Sequence, residues 1–227
     1  MMLHIPRVLT PEQVRHCNDV LSKAAWIDGR ATAGDQSGRV KNNLQVPEDA
    51  TEAQALGAII LEALAANAQF MSAALPLRIY PPLFNRYGEG MGFGPHIDGA
   101  VRISPVTGGR YRTDLSCTLF LTDPGQFDGG ELVIEGAFSP AGVKLPAGDM
   151  ILYPATTVHR VEPITRGERW AAFFWIQSIV ADQTQRDLLH ALDQAIIAAR
   201  GDLGDVHPAA VTLVGVYHNL VRMWSRF

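Results

Sequence analysis

The run Tyr87-Gly88-Glu89-Gly90-Met91-Gly92-Phe93-Gly94-Pro95-His96-Ile97-Asp98 ends in a His-x-Asp pair. Residues two apart share a face in an extended segment and diverge on a helix. On a strand, His96 and Asp98 therefore offer an imidazole nitrogen and a carboxylate oxygen to one point. That geometry suits a metal ion, but two ligands do not close a site.

The best candidate for the third ligand is His159, within Leu152-Tyr153-Pro154-Ala155-Thr156-Thr157-Val158-His159-Arg160-Val161. Two histidines and a carboxylate on one side of a metal, with positions left open, make the facial triad of non-haem Fe(II) oxygenases. Arg169 opens the next apolar segment and can clamp a dicarboxylate through paired hydrogen bonds. The distance in sequence from His159 is enough to turn and return along a neighbouring strand. Arg166 is the nearest competitor and falls in a turn. Asn85 shares a face with Tyr87 on a regular strand and is a further candidate for the pocket.

The 227 residues suffice for one sizeable core or one domain with a helical appendage. A formal net charge of −4 without any basic run disfavours a nucleic-acid partner. Cys17 and Cys117 stand apart and outside any Cys-x-x-Cys pair, which fits two reduced thiols. The N-terminal residues lack the apolar core of a signal peptide, and no apolar run reaches bilayer length. A cytoplasmic protein without a membrane partner is expected.

Thr10-Pro11-Glu12-Gln13 forms a capping box, predicting a helix to about residue 25. Short strands are expected near 26–31 and 40–44, with a loop over 34–38 and a second helix over 47–71. From residue 77, short β-rich runs alternate with Gly, Pro and Asp at 77–80, 83–87, 94–98, 113–121, 130–134, 143–144, 149–153, 158–161 and 170–179. With His-x-Asp early and His late, this predicts a mainly β fold with flanking helices around a double-stranded β-helix, the jelly roll. The expected organisation is N-terminal helical and strand support over 1–76, the core over 77–180 and a C-terminal helical extension over 181–227. The last part holds helices over 182–200, stopped by Gly201, and 208–224. These helices are candidates for covering the sandwich or for a homo-oligomer contact.

The other candidates read as structural. Arg102, Arg110 and Arg112 fall on an expected solvated loop, with an anionic substrate as the alternative. His4, His16, His190 and His207 have no evident partners. His218 suits a structural hydrogen bond, and Trp170 and Trp175 suit the core.

The pattern Tyr87-x-x-Gly90-x-x-Phe93-x-x-His96-x-Asp98, then His159, then Arg169, resembles the Fe(II)/2-oxoglutarate dioxygenases, within them the prolyl-4-hydroxylase-like branch. It looks most like the bacterial PKHD-type hydroxylases, some of which are associated with iron uptake. The run 127–132 and the ending 215–224 also look like that subfamily. The resemblance implies Fe(2+) held by His96, Asp98 and His159, with 2-oxoglutarate and O2 as cosubstrates and L-ascorbate as a reductant. It implies that 2-oxoglutarate places its far carboxylate on Arg169, beside the Tyr87 phenol. Hydroxylation of a peptidyl residue or small molecule would accompany decarboxylation to succinate. Some relatives carry Arg-x-Ser, but here Ala171 stands where that Ser would be. Asp98 occupies the position that related halogenases give to a small residue, which favours hydroxylation. Rival readings are a non-catalytic metal-binding or sensor module on the same scaffold and a cupin-like zinc or manganese enzyme. The non-catalytic module has no need for Arg169.

Overall fold

The strand-forming runs assemble into two principal antiparallel sheets in a computed structural model that describes residues 1–136 and 139–227. The larger sheet has eight strands. Its order is Leu3–Ile5, Met150–Pro154, Leu115–Phe120, Arg169–Ser178, Leu83–Tyr87, Leu44–Gln45 and Ile27–Asp28, with Pro76–Ile79 also pairing with Arg169–Ser178. The smaller sheet runs Ala141–Val143, Leu132–Ile134, His159–Val161, Gly92–His96 and Lys41–Asn42.

Alternation along the strands sorts their side chains between two cores. Tyr87, Phe120, Ile151 and Tyr153 from the larger sheet meet Leu132, Ile134 and Val161 from the smaller one. Phe84, Cys117, Leu119, Leu152 and Phe174 instead share a cluster with helix residues Leu21, Leu56, Ile60, Leu64 and Phe70. Each such fully buried aliphatic side chain contributes about 1.5–3 kcal/mol. Among the described residues, no single helix is long and apolar enough to cross a membrane. Thr51–Ala65 and Ala68–Ala74 pass that test only jointly, across an 87° bend.

The first 76 residues enter the sheets rather than only supporting them. Lys41–Asn42 pairs with Gly92–His96 in the smaller sheet, while Leu44–Gln45 pairs with Leu83–Tyr87 in the larger. The chain therefore crosses between sheets at Asn43, and the expected continuous strand over 40–44 is broken there.

Local chemistry explains the other departures. The Thr10–Gln13 capping box forms, but its helix is Pro11–Leu21 and ends before residue 25. The expected 26–31 strand is only Ile27–Asp28, followed by a 3-10 turn at Gly29–Thr32. The expected 34–38 loop is a short helix, Asp35–Val40, with Asp35 in its first turn and Arg39 in its last, as the helix dipole favours. Asn67 splits the expected 47–71 helix because its side chain caps a new one, accepting from the Phe70 amide. Gly201 lies inside Gln183–Leu203, and that helix stops at Gly204, whose φ of 86° suits glycine. The hairpin Val101–Ile103 with Arg110–Arg112 replaces the expected loop. Arg166 sits on strand Ile164–Gly167, not in a turn, and is exposed beside Asp128.

Gly129 and Gly130 carry the chain from Phe127–Gly129 into the smaller sheet. At Gly129, φ is 73° and an added Cβ would lie 2.1 Å from the Pro163 carbonyl oxygen. Only glycine fits this approach.

Candidate active site and metal centre

His96 closes strand Gly92–His96, and His159 opens its neighbour; the two are direct register partners. Asp98 lies two residues past the ladder rather than on an extended strand, because the pairing strand ends opposite His96. It nevertheless turns into the same space. Ligand atoms of His96, Asp98 and His159 all lie within 4.8 Å of one another.

The histidine tautomers follow from their hydrogen bonds. His96 Nδ1 is 2.9 Å from the Gly94 carbonyl oxygen, and His159 Nδ1 is 3.0 Å from that of Thr157. A carbonyl only accepts, so each Nδ1 donates and each Nε2 lone pair is left for a ligand. Burial, reinforced by nearby His159, pulls the His96 pKa down to about 4, which keeps this imidazole neutral at pH 7. Asp98 Oδ2 accepts from Ser116 Oγ at 2.5 Å and lies 3.8 Å from His159 Nε2. Two imidazoles and an oriented carboxylate match the donor set for Fe(II) with open positions.

A cavity of about 530 Å³ opens onto this cluster, within the usual range for small-molecule sites. Tyr87, Asn85 and Arg169 all line it. Arg169 does not return beside His159: it starts a strand of the larger sheet, across the sandwich, paired in register with Tyr87. Arg169 is only 1% exposed, yet its Nε has no hydrogen-bond partner among the described residues. Burial lowers the Arg169 pKa, opposed by the Tyr87 and Tyr153 phenols, while the intrinsic basicity of guanidinium keeps it cationic. Burial pushes the Tyr87 phenol up to about 12, so it remains a donor. A buried cation with an unpaired N–H is costly unless an anion completes it. The residues present thus fit a bound dicarboxylate.

Several site residues escaped the sequence reading. Lys41, Asn43 and Gln45 alternate along the crossing segment, and all three line the cavity. No local alternation marks them, because Asn42 between them is polar too. Ser116 was hidden in an apolar strand, where its hydroxyl is its only mark. Arg102 is half-buried on the hairpin rather than on a solvated loop: its guanidinium stacks 4.0 Å from the Trp175 ring centroid, and both line the cavity. Trp175 is thus a wall of the site as well as buried. Trp170 packs against Trp26 and donates its indole N–H to Glu168.

Arg112 pairs with Asp114 and also donates to the Ser178 carbonyl, so it is structural. Among the other histidines, His4 does have a partner, Asp149, at 2.7 Å. His190 bonds Ser72, and His207 caps the last helix. His218 meets Tyr217 edge-on, without a side-chain hydrogen bond among the described residues.

Residues 82–177 match the 2OG-Fe(II) oxygenase superfamily, and residues 183–226 match the PKHD-type hydroxylase C-terminal domain. The chain is 58% identical over 225 residues to a PKHD-type hydroxylase of Methylobacterium nodulans, covering 99% of each. It is 56% identical over 225 residues to one of Gluconobacter oxydans, with the same coverage. The fold resembles the crystal structure of a Pseudomonas putida prolyl-4-hydroxylase, with a TM-score of 0.54 at 19% identity over 78% of this chain and 92% of that one. The protein is accordingly a 2-oxoglutarate-dependent dioxygenase, of a superfamily defined by Fe(II), 2-oxoglutarate and O2. Within that class, the chain belongs to the PKHD-type hydroxylases.

Proposed function

We propose that this enzyme hydroxylates its substrate at an iron held by His96, Asp98 and His159, with Arg169 and Tyr87 receiving the far carboxylate of 2-oxoglutarate. The observation that carries this reading is the convergence of the three donors within 4.8 Å beside a buried guanidinium whose Nε is unpaired. The facing sheets support a double-stranded β-helix as the scaffold. When bound, the iron and 2-oxoglutarate supply O2 activation, with decarboxylation of 2-oxoglutarate to succinate balancing the oxidation.

The protein's own residues orient and shield that chemistry. The Gly94 and Thr157 carbonyls hold the imidazoles in the Nδ1–H tautomer, and Ser116 aims Asp98. The Tyr153 ring packs edge-on against His159 and limits its rotation. Arg169 and Tyr87 lie deep, so a dicarboxylate bound there excludes water and leaves the outer cavity to the primary substrate. That substrate is a peptidyl residue or a small molecule, in a role tied to iron uptake in the cytoplasm. L-Ascorbate would return oxidised iron to Fe(II) after uncoupled turnover. Exposed Leu188, Ile197 and Val211 on the C-terminal helices support a homo-oligomeric contact, testable by sedimentation velocity.

The deciding experiment is succinate release from 2-oxoglutarate under O2 with Fe(II), screened against candidate substrates. Wild type releases succinate and Asp98→Ala does not. Equal release by both proteins overturns the assignment of the site.

A further inference from the structure

Beyond Arg169, the cavity holds two more cations, and both turn towards one residue. Lys41 Nζ donates to Thr32 Oγ1 at 3.1 Å, and Arg102 Nη2 donates to the Thr32 carbonyl at 3.3 Å. Lys41 is 7% exposed, and Arg102 Nε is buried without a hydrogen-bond partner among the described residues. Neither has a carboxylate within 4.0 Å among the described residues.

The carboxylates whose charge reaches Lys41 are already engaged. Asp28 pairs with Arg30, Glu48 accepts from the Tyr80 hydroxyl at 2.7 Å, and Asp98 accepts from Ser116. Asp35 and Asp98 also line the cavity, but among the described residues neither forms an ion pair with Lys41 or Arg102; the two like charges repel each other, and a ligand anion offsets that repulsion.

The aromatic walls give the pair a fixed relation to the metal centre. Phe93 stacks on His96 with centroids 3.5 Å apart, and Lys41 Nζ lies 5.3 Å from the Phe93 centroid. Lys41 Nζ is also 5.8 Å from Phe173, whose ring meets Trp175 at 5.6 Å, and Arg102 covers Trp175. An alternating row of rings and cations therefore leads outward from His96, with Lys41 one ring away from it. The row offers apolar ring edges for a substrate body and two donors for an acidic group.

We propose that Lys41 and Arg102 form a carboxylate-binding subsite for the primary substrate, which is a small organic acid rather than the uncharged interior of a peptide. This rests on the reading of His96, Asp98 and His159 as the iron site and Arg169 as the 2-oxoglutarate site. The acid enters after 2-oxoglutarate, with its carboxylate on the Lys41–Arg102 pair and its carbon skeleton along Phe93 and Trp175.

The test uses the full-length enzyme loaded anaerobically with Mn(II) and saturating 2-oxoglutarate. Phenylacetate, hippurate and N-acetyl-L-proline are each titrated calorimetrically against the matching primary amide. At least one acid binds about tenfold or more tightly than its amide, as a charge-assisted pair predicts. Lys41→Met and Arg102→Gln each remove that preference. If no acid is preferred over its amide, or both variants keep the preference, the proposal is overturned. Absorption on anaerobic addition of Fe(II) and 2-oxoglutarate separates the two readings. Loss of the charge-transfer band in the variants alone assigns the cations to 2-oxoglutarate and overturns the subsite. Absence of the band in wild type overturns the underlying cofactor assignment instead.

Discussion

Ser116 and Asp98 meet across the sandwich: the serine hydroxyl, on a central strand of the larger sheet, donates to a carboxylate carried by the segment leaving the smaller one. Ser116 is 2% exposed. Its hydroxyl fixes the orientation of one of three proposed ligands. Ser116→Ala therefore weakens Fe(II) binding by about 10-fold or more, the usual cost of losing an outer partner of a metal ligand. Competition with a chelating dye measures this. Unchanged affinity in a folded variant would show that Asp98 is oriented by other means.

Arg169 faces Tyr87 in register, with its guanidinium carbon 5.5 Å from the phenol ring centroid and 5.1 Å from that of Phe120. Arg169→Leu raises the KM for 2-oxoglutarate by at least about 100-fold, since a buried charge-assisted pair is lost. Tyr87→Phe removes one neutral donor and costs about tenfold. Steady-state succinate release at varied 2-oxoglutarate separates the two. A larger effect from Tyr87→Phe than from Arg169→Leu contradicts these roles.

Lys41 burdens the unliganded protein. Desolvation, with the nearby Arg102 charge, lowers its pKa from 10.5 to about 8, while Asp98, Asp28 and Glu48 pull the other way. The unfolded chain binds the proton more tightly than the folded one, so stability rises with pH between about 8 and 10.5. Below pH 8 the cost is fully present. Lys41→Met therefore stabilises the apo protein at pH 7 by about 1–3 kcal/mol, and the gain shrinks across that window. Urea denaturation at pH 7 and at pH 10 measures it. A destabilised variant, or a gain that does not change with pH, would contradict the account.

Gly129 tests the backbone route between the sheets. Gly129→Ala puts a Cβ against the Pro163 carbonyl and strains a left-handed residue. It costs about 2 kcal/mol or more, read as a fall in Tm. Gly125→Ala, where an added Cβ meets nothing within 4 Å, serves as the neutral control. Equal Tm values for the two variants would mean the turn can relax.

What the sequence revealed depended on the range of each interaction. The capping box at Thr10 and Gln13 is a local device, and it formed as read. His96, Asp98 and His159 carried distinctive chemistry in strand-like surroundings, so their convergence was foreseeable. The sheet that each strand joins is a long-range matter: Arg169 crosses to the larger sheet, and the chain changes sheets at Asn43. Neither event leaves a local mark. Arg102 and Trp175 read as loop and core because their stacking joins residues far apart in the chain. Nothing local marks Lys41, and only the pairing of its strand with Gly92–His96 draws it inside.

The central claim is that His96, Asp98 and His159 share one iron. Anomalous diffraction at the iron edge, on crystals grown anaerobically with Fe(II) and 2-oxoglutarate, tests it most directly. A single peak touching His96 Nε2, an Asp98 carboxylate oxygen and His159 Nε2 is the predicted result. A peak bound elsewhere, or lacking any one of the three, would contradict it.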